Sequence, residues 1–243
     1  MGKYKLIALD MDGTLLDRQQ EISERNLHWI KKAEEAGLVV CFATGRGRAS
    51  SEPYWGAVSP TAPMVLSNGA EIWKSHDELL SRYTLPAEQV PRLIELAKEH
   101  GAQYWTLGSC SEDPLTLGDQ CLKVGMHHKN LQIIQKLRAI ITGWGVVEVS
   151  ASAPNNVEMN RQGVTKAAGL GEVTELLGIK PSEVVAVGDS LNDLSMIRWA
   201  GLGVAMANAE ESIKEAADYV TASNEDDGVA RLIQLVLHEG YPS

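Results

Sequence analysis

The chain has 243 residues, of which 44% are hydrophobic and 22% charged, and a formal net charge of −10 at pH 7. This composition predicts a globular protein with a sizeable core, and no apolar run approaches the roughly 20 residues that a membrane helix requires. The acidic balance argues against nucleic acid as a partner, because such binding normally depends on basic patches. A small anionic substrate is compatible with it, provided that a metal ion or a few cationic side chains neutralise the site.

Cysteine usage bears on the cellular compartment. Three cysteines, Cys41, Cys110 and Cys121, cannot all pair within one chain, and their spacing fits no zinc pattern. The apolar stretch within residues 1–9 is too short for a signal peptide. We therefore expect a protein of the reducing cytoplasm that has no membrane partner.

Short apolar runs alternate with amphipathic stretches over the first third of the chain. Residues 5–9, 38–43 and 64–67 are runs of the kind that buried parallel strands show. Between the first two, Ser23 is a candidate helix N-cap and Gly37 a candidate helix end. This alternation predicts an α/β sheet layered with helices.

The last third repeats the pattern. It contains predicted helices at 165–177, 192–200 and 229–238, and predicted strands at 184–187, 202–206 and 219–221.

The middle of the chain has a different pattern from the two ends. It contains predicted helices at 87–100 and 130–141 and predicted strands at 102–107 and 146–150, with an irregular stretch between 107 and 130. None of these strands ends in acidic residues. The middle therefore reads as a second, smaller α/β unit inserted into the first.

Two acids, Asp10 and Asp12, follow the first predicted strand, where open α/β sheets place their ligand sites. Side chains two apart on an extended segment point the same way, so both carboxylates can address one substrate atom. A polar turn or part of a calcium loop is the alternative. An EF-hand is disfavoured because Leu15 occupies the loop position that requires glycine.

A second acidic group, Asp189, Asn192 and Asp193, follows the predicted strand at 184–187. One of these residues can be a helix N-cap, but a cap does not require all three. If parallel packing brings this strand beside the first, Asp10, Asp12 and Asp189 can converge on one hard cation. Magnesium prefers such oxygen ligands.

Three further positions have weaker signals. Thr44, Gly45 and Arg46 follow the second predicted strand, and a hydroxyl with free backbone amides there suits a phosphate oxygen, although a plain turn is the simpler reading. Lys166 can neutralise a phosphoryl group, but a single lysine is more often a surface residue. Asn68, within Ser67-Asn68-Gly69, belongs most simply to a hairpin turn.

Taken in order, these motifs resemble the haloacid dehalogenase superfamily of phosphohydrolases. They are Asp-x-Asp-Gly-Thr, Thr-Gly-Arg, Lys and Gly-Asp-x-x-Asn-Asp, and the insertion between Thr44 and Lys166 resembles the Cof-like branch, as do residues 67–70 and 224–230. The resemblance implies a Rossmann-like three-layer core with a parallel sheet, built from residues 1–81 and 157–243. It also implies an inserted α/β cap, residues 82–156, that selects the substrate.

The resemblance further implies a magnesium-dependent phosphatase that forms an aspartyl-phosphate on Asp10. Asp12 would be the general acid/base and would give the metal its backbone carbonyl. The expected metal residues are Asp10, Asp12, Asp189 and Asp193, the last steadying or water-bridging the ion. The expected phosphate ligands are Thr44, Gly45, Lys166 and Asn192, and the expected substrate contacts are Arg46 and Asn68. The partner would be a small phosphorylated metabolite such as a sugar phosphate.

Three alternatives remain at this point. A phosphomutase would use the same Asp10 intermediate but pass the phosphoryl group to a sugar hydroxyl. A receiver-like signalling domain also clusters acids, a threonine and a lysine around a phosphorylated aspartate, but is about half this length. A nicotinamide-binding enzyme is disfavoured, because Gly169-x-Gly171 and Gly201-x-Gly203 lack a third glycine.

Overall fold

The computed structural model describes residues 3–108 and 120–238, which form an eight-stranded large sheet and a four-stranded small sheet. The strands of the large sheet are β1 (Leu6–Leu9), β2 (Val39–Ala43), β3 (Met64–Leu66), β4 (Glu71–Trp73), β5 (Leu79–Arg82), β10 (Val184–Gly188), β11 (Leu202–Ala205) and β12 (Tyr219–Val220). Those of the small sheet are β6 (Gln103–Gly108), β7 (Cys121–His127), β8 (Val147–Ser150) and β9 (Asn156–Arg161).

The large sheet has the order β12-β11-β10-β1-β2-β3-β4-β5, and its first six strands run parallel. In the centre, Leu9 of β1 is in register with Val187 of β10 on one side and with Phe42 of β2 on the other. The predicted α/β fold with a parallel sheet is confirmed. Because the central strands are parallel and in register, their carboxyl ends meet at one edge.

Eight α-helices accompany the strands of the described ranges. They are α1 (Glu24–Glu35), α2 (Arg48–Ser51), α3 (Gln89–Glu99), α4 (Leu131–Trp144), α5 (Lys166–Leu177), α6 (Leu194–Trp199), α7 (Glu211–Lys214) and α8 (Gly228–His238). The predicted N-cap is confirmed, since the Ser23 hydroxyl accepts a hydrogen bond from the amide of Asn26. No helix in these ranges has the length and apolarity needed to cross a bilayer.

The large sheet is the middle one of three layers, with helices on both of its faces, and side chains along β1 alternate between the two faces. Ile7 and Leu9 pack on one face with residues of α1 and α8, whereas Leu6 and Ala8 pack on the other with residues of α5 and α6. All four side chains are fully buried. A strand buried on both faces reads as a continuous apolar run, which is why the sequence identifies it.

The small sheet is antiparallel throughout, in the order β6-β7-β9-β8. Its apolar face, including Val124 and Met159, packs against α3 and α4. The opposite face has polar side chains that are nevertheless buried, among them Lys123 and Glu158.

The sequence prediction missed four strands, β4, β5, β7 and β9. The irregular stretch expected between 107 and 130 contains β7, and its residues 109–119 lie outside the described ranges. Strand β7 escaped notice because charged Lys123 interrupts its apolar run. The small sheet includes β9, which extends to Arg161 and so beyond residue 156. The division into residues 1–81 with 157–243 and 82–156 stays a prediction.

Candidate active site

The predicted site residues gather at the carboxyl edge of the central strands. Asp10 follows β1, Thr44 follows β2, and Asp189 follows β10. Backbone hydrogen bonds continue beyond the strand ends, from the Asp10 amide to the Val187 carbonyl at 3.0 Å. The sheet therefore brings together three motifs that lie far apart in the sequence.

Three carboxylates form a cluster at this edge. Asp10, Asp189 and Asp193 each offer an oxygen within 4.8 Å of the others. The Thr14 hydroxyl donates to Asp189 Oδ1 at 2.9 Å. A set of carboxylate oxygens this close suits a hard divalent cation such as Mg²⁺.

Asp193 differs from the other two acids in its hydrogen bonding. Its Oδ2 accepts from the amides of Asp189 and Ser190, both at 3.0 Å, and its Oδ1 lies 2.6 Å from Lys166 Nζ. Both oxygens are thus engaged by the protein, and the side chain is completely buried. This geometry suits a residue that holds the Asp189 loop and the lysine in place.

Lys166 is fully buried at the first position of α5, after the N-cap Thr165. Its Nζ lies 2.5 Å from Asp10 Oδ1 as well as 2.6 Å from Asp193 Oδ1. Burial alone lowers the pKa of this lysine, but the two carboxylates outweigh burial, and the pKa is raised overall. Lys166 is therefore a permanent positive charge beside Asp10, not a surface residue.

The cluster is short of positive charge. Burial raises the pKa of Asp10 well above its ordinary value, and repulsion from Asp193 adds to this, while Lys166 opposes it. Burial likewise raises the pKa of Asp189 to about 7, with repulsion from Asp193 as the next cause. A divalent cation among these oxygens would favour both ionised carboxylates. The donor set thus fits the magnesium that the sequence predicts.

The carboxylate of Asp12 is not one of the three clustered acids. Arg46 binds both of its oxygens, Nε to Oδ2 at 2.7 Å and Nη2 to Oδ1 at 2.6 Å. The expectation that both carboxylates address one substrate atom stays a prediction. The strand ends at Leu9, and the carbonyl of Met11 accepts hydrogen bonds from the amides of Leu15 and Leu16 in the turn that follows.

Arg46 is itself held by several groups. It donates to Gln20 Oε1 and to the Ser50 carbonyl, and its guanidinium lies 5.2 Å from the centre of the Tyr54 ring. The side chain of Asp12 is 48% exposed, whereas that of Asp10 is 5% exposed. The two acids therefore have different environments.

The remaining predicted residues lie beside the acid cluster. The Thr44 hydroxyl accepts from the Arg46 amide at 3.1 Å, and Asn192 Nδ2 donates to Asn68 Oδ1 at 3.1 Å. Gly45 is tightly surrounded, because an added Cβ would lie 3.0 Å from Asn68 Oδ1 and would require Asn68 to shift. Residues 67–69 form the tight turn between antiparallel β3 and β4, which confirms the predicted hairpin.

Two residues that the sequence prediction missed border this region. Lys123 Nζ donates to the Gly45 carbonyl at 2.8 Å, and Glu158 accepts from Asn68 Nδ2 at 2.7 Å. Neither belongs to a motif. The available signal was one charged residue inside each of two otherwise apolar segments, Cys-Leu-Lys-Val and Val-Glu-Met.

Comparison with known proteins identifies the same family that the sequence motifs resemble. The family model of haloacid dehalogenase-like hydrolases matches residues 7–112 and 116–233. The Bacillus subtilis 5-amino-6-(5-phospho-D-ribitylamino)uracil phosphatase YcsE is 38% identical over 235 residues, which cover 95% of this chain and 94% of that protein. The Escherichia coli pyridoxal phosphate phosphatase YbhA is 27% identical, covering 94% and 97%.

A solved structure has the same architecture. It is a haloacid dehalogenase-like hydrolase from Bacteroides thetaiotaomicron, 31% identical, with a TM-score of 0.81, covering 96% of this chain and 99% of that chain. The likeness extends over nearly the whole of both chains. It therefore includes the large sheet, the small sheet and the edge at which the predicted site residues meet.

Proposed function

The chain belongs to the haloacid dehalogenase-like hydrolase family and is a phosphoric monoester hydrolase, and on this premise we propose that it hydrolyses a small phosphomonoester through an aspartyl-phosphate on Asp10. The contact of Asp10 with buried, protonated Lys166 is the observation that carries this proposal. The positive charge of Lys166 opposes the rise that burial causes in the pKa of Asp10, and so favours the ionised, nucleophilic carboxylate.

In the first step, Asp10 attacks phosphorus, and the bond from phosphorus to the ester oxygen breaks. Asp12 gives a proton to the departing oxygen and later accepts one from the water that hydrolyses the acyl phosphate. The two hydrogen bonds from Arg46 orient the Asp12 carboxylate. Breakdown of the intermediate returns Asp10 as a carboxylate and releases inorganic phosphate.

The phosphoryl oxygens need positive or hydrogen-bonding partners. We assign this role to the Thr44 hydroxyl, the Gly45 amide, Lys166 and the Asn192 amide. In a loose phosphoryl-transfer transition state, charge accumulates on these oxygens, so groups fixed in advance stabilise it most. Thr44 is fully buried and Asn192 nearly so.

We assign Mg²⁺ to the carboxylates of Asp10 and Asp189 and to the backbone carbonyl of Asp12. When bound, the ion would reduce repulsion between the carboxylates and the phosphoryl group. Asp193 steadies the site through Lys166 and the Asp189 loop. The proposed roles of Arg46 and Asn68 as substrate contacts stay predictions, since the structure gives both of them protein partners.

For the substrate we propose a phosphorylated metabolite of modest size. The relative with 38% identity is named for a ribitylaminouracil phosphate and another relative for pyridoxal phosphate. Both are small phosphorylated compounds. Residues 82–156, the proposed cap, would select among such leaving groups.

A panel of phosphomonoesters tests the proposal. It contains 5-amino-6-(5-phospho-D-ribitylamino)uracil, pyridoxal phosphate, hexose phosphates and phosphoglycolate, each with Mg²⁺ or with EDTA. We expect phosphate release that requires Mg²⁺ and disappears in Asp10→Asn. Exposed Asp77→Asn is the matched control and should keep full activity. Retained turnover in Asp10→Asn would refute the nucleophile, and isomer formation without phosphate release would identify a phosphomutase.

A further inference from the structure

A buried ion pair lies where the small sheet meets the large sheet. Lys123 on β7 and Glu158 on β9 have side chains that are 5% exposed, with Nζ 3.1 Å from Oε2. Burying two charges is costly unless both are paired and hydrogen-bonded. Here both are, and two of their partners, Gly45 and Asn68, belong to segments that follow strands of the large sheet.

The strand register places the pair on the face directed at the core. Glu158 is in register with Gly125, and side chains two apart on a strand share a face, so Lys123 and Glu158 lie on the same side. Their neighbours Val124 and Met159 point to the opposite side, into the apolar layer under α3 and α4. The charged and the apolar side chains of these two strands therefore lie on opposite faces of the small sheet.

The lysine reaches the segment that follows β2. Its Nζ donates to the Gly45 carbonyl at 2.8 Å. The N–H of the same peptide group, which belongs to Arg46, donates to the Thr44 hydroxyl at 3.1 Å. A single rigid peptide therefore connects the ammonium of Lys123 to the hydroxyl proposed to bind the phosphoryl group.

The glutamate reaches the other side of the same region. Its Oε2 accepts from Asn68 Nδ2 at 2.7 Å, and Asn68 Oδ1 in turn accepts from Asn192 Nδ2 at 3.1 Å. Ser152 donates to the remaining oxygen at 3.1 Å. Although burial by itself raises the pKa of Glu158, Lys123 and these hydrogen bonds outweigh it, and the pKa is lowered overall. The carboxylate stays ionised.

We propose that Lys123 and Glu158, which lie on the small sheet, are positioning residues. They fix Thr44 and Asn192 in the geometry that binds the phosphoryl group. The inference rests on the proposed function. Neither residue needs to touch the substrate: Lys123 acts through the Gly45–Arg46 peptide and Glu158 through Asn68. Docking of the small sheet thus completes the phosphate site of the core.

The double variant Lys123→Met/Glu158→Gln tests this, because it removes both charges together and leaves no unpaired charge behind. We expect kcat to fall about tenfold or more, since small displacements of positioned groups have effects of that order. The factor should be similar for p-nitrophenyl phosphate and a hexose phosphate, whose leaving groups differ. The single variant Lys123→Arg keeps a donor toward Gly45, so its kcat should lie between those of the double variant and the wild type.

Inorganic phosphate provides a readout that does not depend on turnover. In the presence of Mg²⁺, calorimetric titration should show phosphate binding about tenfold weaker in the double variant than in the wild type. If the wild type releases phosphate from no ester, the proposed function fails, while this titration still decides the positioning role.

Arg138→Met is the control for loss of stability within the small-sheet unit. Arg138 donates to the Asn156 carbonyl at 3.2 Å and lies on α4, away from Gly45 and Asn68. We expect a lower melting temperature with unchanged kcat. Wild-type kcat and phosphate affinity in the double variant would overturn the inference. So would a loss confined to one ester, which indicates a leaving-group contact, or an equal loss of kcat in Arg138→Met.

Discussion

The guanidinium of Arg46 holds both carboxylate oxygens of Asp12, at 2.7 Å and 2.6 Å. Asp10, two residues earlier, is bound instead by Lys166. Each of the two aspartates thus has its own cation, and this distinguishes the buried residue that we propose as nucleophile from the half-exposed one that we propose as acid/base. The distinction leads to the first two predictions.

Replacing Arg46 with lysine should lower kcat by roughly tenfold with a smaller change in KM, because lysine cannot form the two-point contact that orients Asp12. Steady-state kinetics at saturating Mg²⁺ will measure this. Arg48→Lys is the matched control, since Arg48 lies 4.2 Å from the Trp73 ring centre and has no assigned part in the site. Wild-type kcat in Arg46→Lys would show that Asp12 does not depend on this contact.

Asp12→Asn should still form the aspartyl-phosphate from a substrate with a good leaving group, but should hydrolyse it slowly, because no base activates the water. Acid quenching followed by mass spectrometry should detect one added phosphoryl group on the peptide containing Asp10. Asp10→Asn is the negative control and should show no phosphoryl group on this peptide. Absence of the adduct in both variants would contradict the division of roles.

The metal-free protein should lose stability as the pH rises from about 4 to 7 through the contribution of Asp189, whose pKa is raised from 3.8 to about 7 by burial and by Asp193. In that interval the folded state binds a proton that the unfolded state has released, so raising the pH favours unfolding. Mg²⁺ should restore the stability, and more at pH 8 than at pH 5, because it competes with the proton.

Urea unfolding of wild type and Asp189→Asn, with EDTA and with Mg²⁺, isolates this contribution from that of the other carboxyl groups. The difference between the two proteins should vanish at low pH and grow toward pH 7 in EDTA. A difference that does not depend on pH would contradict the raised pKa of Asp189.

Gly69→Ala should destabilise the fold by about 1–3 kcal/mol from its backbone conformation alone, since φ is +101°. A clash adds to this cost, because an added Cβ would lie 2.3 Å from the carbonyl oxygen of Thr165, the residue before Lys166. Gly171→Ala on α5, where an added Cβ would meet nothing within 4 Å, should instead stabilise by roughly 0.5–1 kcal/mol. Denaturant unfolding of the two variants will compare them, and equal effects would contradict the argument.

The parallel sheet could be predicted because its central strands are buried on both faces. Leu6–Leu9 and Val184–Gly188 read as continuous apolar runs, and each leads into acids at its carboxyl end. The small sheet could be predicted only in part. Its face toward the core must satisfy buried polar groups, so Lys123 and Glu158 break the apolar pattern by which strands are recognised.

By itself, the sequence determined the order of the motifs and the chemistry of their side chains, because these depend on residue type and on the ends of strands. The tertiary structure decided which groups meet: Lys166 contacts Asp10 and Asp193, Arg46 binds Asp12, and the small sheet binds Gly45 and Asn68. These contacts join residues far apart along the chain. Their partners are selected by packing and charge compensation in three dimensions, which local sequence patterns do not record.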